Sequence, residues 1–170
     1  RARVSKTKTG VSAPRRHLRL RDLVKQPKGH CRWCGVPVTG RRRTWCSDAC
    51  VADYMVRASP ARLRQALYRR DQGVCAVCGS DTAALERELK QLKRTDSKAF
   101  DARLSGLKYH GFNVQWRSFR ALWEADHRIE IRDGGDLGMD NLQTLCVPCH
   151  RRKTTERGKQ IAISRRQGIS

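Results

Sequence analysis

The stretch from residue 123 to residue 157 reads WEADHRIEIRDGGDLGMDNLQTLCVPCHRRKTTER. Trp123, Ala125, His127, Ile129 and Ile131 alternate with polar residues, which predicts a strand over 123–131. Asp133-Gly134-Gly135-Asp136 is a turn or loop. Met139 to Leu145 then leads into Cys146-Val-Pro-Cys149-His150, and a helix is expected from about Cys149 through Lys153 and beyond. The segment packs carboxylates, histidines, cysteines and a run of bases into 35 residues.

Cys146 and Cys149 are not isolated. All eight cysteines fall in close pairs, Cys31/Cys34, Cys46/Cys50, Cys75/Cys78 and Cys146/Cys149. Cysteines two or three residues apart on a knuckle direct both sulfurs at one ion, so the pattern predicts two structural zinc sites rather than disulfides. One is assigned to Cys31, Cys34, Cys46 and Cys50, the other to Cys75, Cys78, Cys146 and Cys149. Zinc thiolates suit a reducing compartment, cytoplasm or nucleus.

Charge points to the partner. The 170 residues carry 37 Lys+Arg against 16 Asp+Glu, a formal net charge of +21, and a polyanion is the usual reason for such an excess. No segment reads as a bilayer span and no signal peptide is evident, so a membrane partner is not expected. The chain does not begin with Met and is expected to be a processed form or a fragment.

Outward from the central stretch, the chain divides as follows. Residues 1–28 hold ten basic side chains against Asp22 alone and are expected to be an arm, disordered without DNA, that lies along phosphate backbone through residues such as Arg15, Arg16 and Arg19. Residues 29–58 form an N-terminal four-cysteine module, with a small hairpin over 36–39 and 43–45, a Ser47-capped helix, and Arg41, Arg42 and Arg43 available to DNA. Residues 59–158 form the main domain, opening with a helix capped by Ser59. An insertion at 80–120 is predicted to be helical over Thr82–Arg94 and Ser97–Lys108. Residues 159–170 read as a basic, frayed tail.

Asp126-His127, Asp140-Asn141-Leu142 and Cys146-x-x-Cys149-His150-x-x-Lys153, with the Cys75-x-x-Cys78 knuckle upstream, resemble the zinc-containing branch of the HNH nuclease family. A longer stretch, from about Trp45 to Arg157, resembles the C-terminal nuclease module of annealing helicases, which makes a helicase or other DNA-processing partner an expectation. The resemblance implies a small zinc-stabilised α+β fold, a ββα-metal core over about residues 74–158 with the additional N-terminal zinc module. It implies a DNA endonuclease using one catalytic Mg²⁺ or Mn²⁺. Asp126 and His150 would hold that ion, His127 would be the general base, and Asn141 would hold the loop that fixes His127. Arg151, Arg152 and Lys153 would meet the DNA backbone.

Each residue also has an ordinary reading. His127 could be a half-buried strand histidine, Asp126 a surface carboxylate, Asn141 a turn cap, His150 a neighbour of the zinc, and the basic triplet a solvated helix face. Adjacent strand residues face opposite ways, so Asp126 and His127 converge only where the strand twists or ends. The competing function is a double zinc finger that binds nucleic acid without cutting it.

Overall fold

The computed structural model describes residues 25–112 and 122–168. Arg15, Arg16 and Arg19, and most of the arm, lie outside the described residues. Two compact units make up the chain, residues 1–51 and 52–170.

In the first unit the knuckle closes on itself. The Gly35 amide donates to the Cys31 carbonyl (2.9 Å) and the Cys31 amide to the Val36 carbonyl (2.8 Å). Gly35 sits at φ +75°, a left-handed turn that few other residues would tolerate. The hairpin expected over 36–39 and 43–45 does not form. Pro37 bridges instead to His30, and the Val38 amide reaches the Gly29 carbonyl (2.7 Å), so pairing wraps the knuckle rather than the arginine-rich turn. Helix α1, Asp48–Ala58, whose residues from 52 on belong to the second unit, starts where the Ser47 hydroxyl accepts from the Cys50 amide (3.2 Å).

In the second unit, helix α2 spans Pro60–Asp71, capped by Ser59 with proline in its first turn. The knuckle at Cys75 repeats the geometry of the first, with the Gly79 amide on the Cys75 carbonyl (2.9 Å). Helices α3, Thr82–Thr95, and α4, Ser97–Tyr109, follow, capped by the carboxylates of Asp81 and Asp96. Strands β1, Trp123–His127, and β2, Leu142–Cys146, pair antiparallel with His127 opposite Leu142 and Asp126 opposite Gln143. Helix α5, Val147–Arg166, then lies across both strands. This is a small α+β fold with a ββα-type core of β1, β2 and α5.

Burial explains the insertion. Leu89, Phe100, Leu104 and Leu107 of α3 and α4 pack with Leu122, Leu145 and three cysteines of the second cluster, Cys75, Cys146 and Cys149. The other face of the hairpin, Trp123 and Leu142, packs on Leu67 of α2. Thr144, fully buried on β2, gives its hydroxyl to Asp71 (2.8 Å).

Two further expectations are corrected. The strand predicted to Ile131 ends at His127, and Ile131–Asp133 is a 3₁₀ turn with Ile129 exposed. The tail expected to fray from residue 159 continues α5 to Arg166.

Candidate nuclease site and zinc clusters

The four sulfurs of Cys31, Cys34, Cys46 and Cys50 lie within 4.8 Å of one another, as do those of Cys75, Cys78, Cys146 and Cys149. Cys34–Cys46 and Cys46–Cys50 are both 3.4 Å apart and Cys78–Cys146 3.6 Å. Tetrahedral zinc at about 2.3 Å from each sulfur needs edges of about 3.8 Å, so both clusters fit. Burial resists ionisation of Cys31, but the backbone amides of Cys34, Cys46 and Trp33 outweigh it and bring the thiol to about 6. The Ser80 hydroxyl, against some burial, does the same for Cys78, also to about 6. Burial drives Cys146 the other way, and Arg152 donates to the Cys149 sulfur (3.5 Å).

Next to the second cluster, Asp126 is a buried carboxylate on β1, 8% exposed. Its Oδ2 accepts from Gln143 (3.1 Å) across the strand pair and from the Lys153 ammonium. Its Oδ1 faces His150 Nε2 of α5 at 3.8 Å. Lys153 also donates to the His127 carbonyl and stands 3.9 Å from Glu130. The side chains of Asp126 and His150 therefore meet, with Lys153 between α5 and the strand end.

His127 occupies the next strand position and looks elsewhere. Its Nε2 meets Arg57 Nη2 at 3.1 Å. Burial, and then the Arg57 charge, hold the imidazole below its ordinary value, against the opposing pull of Glu130 and Asp126. Both effects favour the neutral imidazole, the form that can accept a proton.

Asn141 closes the loop that follows His127. Its Oδ1 accepts from the Ile129 amide (2.9 Å), and its Nδ2 donates to the carbonyls of Ile129 and Asp136 (both 2.8 Å). Gly135 passes so close that a β-carbon there would lie 2.0 Å from the Ile129 oxygen and 2.7 Å from Asn141 Nδ2. Asn141 thus ends the ladder by taking the hydrogen bonds a longer strand would have made.

Residues 112–156 match the model of the HNH endonuclease family. The chain contains an HNH domain. It is similar to the DNA annealing helicase and endonuclease ZRANB3 of Bos taurus, 30% identical over 131 residues, which is 74% of this chain and 12% of that protein. To the Mus musculus protein it is 27% identical over 165 residues, 89% of this chain and 15% of that one. The solved human ZRANB3 HNH domain aligns at 25% identity with a TM-score of 0.42, covering 63% of this chain and 96% of that domain. The chain spans 12–15% of the length of the Bos taurus and Mus musculus relatives.

The basic residues expected at the interface are placed unevenly around the HNH domain and the first unit. Arg42 pairs with Asp48 (3.0 Å), while Arg41 and Arg43 are exposed. Arg151 donates to the Gly111 carbonyl (3.2 Å), Arg152 serves the zinc cluster, and Lys153 serves Asp126. Sequence reasoning missed two residues. Arg57 carried no motif, being one basic residue in an amphipathic helix. Arg70, in the helix that Ser59 caps, donates to the carbonyls of Met139 and Leu142 (both 2.7 Å) while pairing with Asp71 (2.6 Å). No helix among the described residues is long and apolar enough to cross a membrane.

Proposed function

We propose that this chain binds DNA through two zinc-organised units and that its HNH domain hydrolyses phosphodiester bonds. The first half of that reading rests on two complete four-cysteine clusters in a chain of net charge +21, and a binding module that never cuts would need nothing more. On the clusters alone, the binding-only reading has the firmer footing, and the engagement of Asp126 by Lys153 and of His127 by Arg57 favours it too. Cleavage rests on one further observation, the buried carboxylate of Asp126 held 3.8 Å from His150 Nε2. A zinc finger has no use for that arrangement.

The donor set suits a small divalent ion, since two ligands at about 2.1 Å each can span up to about 4.2 Å. Asp126 and His150 would hold Mg²⁺ or Mn²⁺, which supplies Lewis acidity toward the phosphate and the leaving oxygen. His127 takes a proton from the attacking water. Lys153 balances the charge of Asp126 and ties α5 to the His127 carbonyl. Asn141 positions the strand end without touching the reaction.

The zinc-loaded chain, incubated with end-labelled duplex, single-stranded, flap and fork DNA, is expected to cut with Mg²⁺ or Mn²⁺ and not when both are omitted. H127A is expected to cut about 10²–10⁴-fold more slowly. It should bind the same DNA as wild type does, because a base acts in the transition state. Tight binding by wild type with no cleavage of any substrate under either ion assigns the chain to the binding-only reading.

A further inference from the structure

We infer that Arg57 is a substrate-contact residue whose guanidinium binds a backbone phosphate of the DNA facing His127. The inference rests on the reading that the chain acts on DNA, but not on its cutting DNA.

Arg57 lies in the last turn of α1 and is half-buried. The other part-buried arginines of the second unit have acids: Arg64 has Glu124 and Arg157 has Asp133. Among the described residues no carboxylate lies within 4.0 Å of Arg57, and Asp136 acts on it only from longer range. The Arg57 Nε is buried without a hydrogen-bond partner, and Nη2 meets His127 Nε2 at 3.1 Å. Burial pulls its pKa down, a sign that the site disfavours the bare charge. The C-terminal end of a helix offers a cation only a partial negative charge in return.

A half-buried guanidinium with its Nε unpartnered and no carboxylate beside it is under-satisfied, and such a charge is costly until an anion meets it. The geometry of the fork selects a flat or tetrahedral oxyanion with two accepting oxygens. In a chain of net charge +21 with an HNH domain, that anion is a phosphodiester. Binding it draws the Arg57 donor away from His127, which frees the imidazole nitrogen at the moment substrate arrives. Arg57 then couples occupancy by DNA to the availability of the base.

The test uses the zinc-loaded full chain as wild type, R57Q and R57K, each with zinc content and thermal melting measured first. Duplex affinity is followed over a salt series without added Mg²⁺ or Mn²⁺. R57Q is expected to lower the slope of log affinity against log salt by about 0.9, the signature of one lost phosphate contact, and R57K to keep it. With metal added, R57Q is expected to cut about 10–100-fold more slowly and R57K to fall between, since lysine keeps the charge and loses the fork. A wild-type slope and a wild-type rate in R57Q overturn the inference. If R57Q fails to fold, R57K decides: a wild-type slope with cleavage at least about fivefold slower supports the fork, and wild-type cleavage overturns it. If wild type binds DNA without cutting, the nuclease reading falls while the salt slope still judges Arg57. If wild type does not bind DNA, both fall.

Discussion

Asn141 satisfies three backbone groups with one buried side chain, and that fixes what its loss should do. N141A leaves the Ile129 amide and two carbonyls in a loop that Gly135 has already drawn tight. We expect a stability loss of about 1–3 kcal/mol in chemical denaturation, together with slower cleavage. H150A should separate from it. His150 is 36% exposed at the side chain, and its loss should leave the denaturation midpoint near wild type while raising the Mg²⁺ or Mn²⁺ concentration needed for half-maximal cleavage. Equal midpoints for N141A and wild type would show that the loop stands without the amide. The motif made both residues visible in the sequence. Their different work was not visible, because it depends on which backbone groups the loop brings within reach.

Helix α2 holds the hairpin from the face opposite α5, through Leu67 and through the Arg70–Asp71 pair. The Arg70 guanidinium, then the Thr144 hydroxyl, hold the Asp71 carboxyl below the usual carboxylate range. A carboxyl whose pKa is depressed by folding contributes stability that is complete above its unfolded value, about 3.9, and is lost as pH falls through its folded value. D71N should therefore be less stable than wild type at pH 7, by about 1.5–3 kcal/mol for a hydrogen-bonded charge. The gap should narrow below about pH 4 as wild type loses the same charge. Thermal melts of the two proteins from pH 7 to pH 3 would check it. A constant gap would mean that Asn fails by shape rather than by charge. This α2–β2 tie was illegible in the sequence, since an Arg-Asp pair at a helix end looks like surface.

At the scale of the whole molecule, the four-cysteine cluster and the core are one structure in the second unit. Cys75, Cys146 and Cys149 belong to the same buried cluster as Leu89, Phe100 and Leu104 of the insertion. In the first unit Cys31 is the one buried hydrophobic residue among the described residues, so little besides the metal can hold it. Stripping zinc with a strong chelator should release two equivalents and abolish the cooperative melting of both units. Retained melting of residues 52–170 after release of both ions would show that the core suffices alone. The cysteine spacing marked the four close pairs in the sequence, because sulfurs three or four positions apart on a knuckle can share one ion, while the meeting of Cys75 and Cys78 with Cys146 and Cys149 is made by the fold. Composition determined the basic character in the same local way, Ser47 and Ser59 placed the starts of α1 and α2, and local pattern placed α3 and α4 to within one residue at each end. The tertiary structure alone decided where β1 stops, what the insertion is for, and which cation faces His127. Those answers depend on residues dozens of positions apart, Asn141 on Ile129, Phe100 on Cys146 and Arg57 on His127, and no local pattern records a partner that far along the chain.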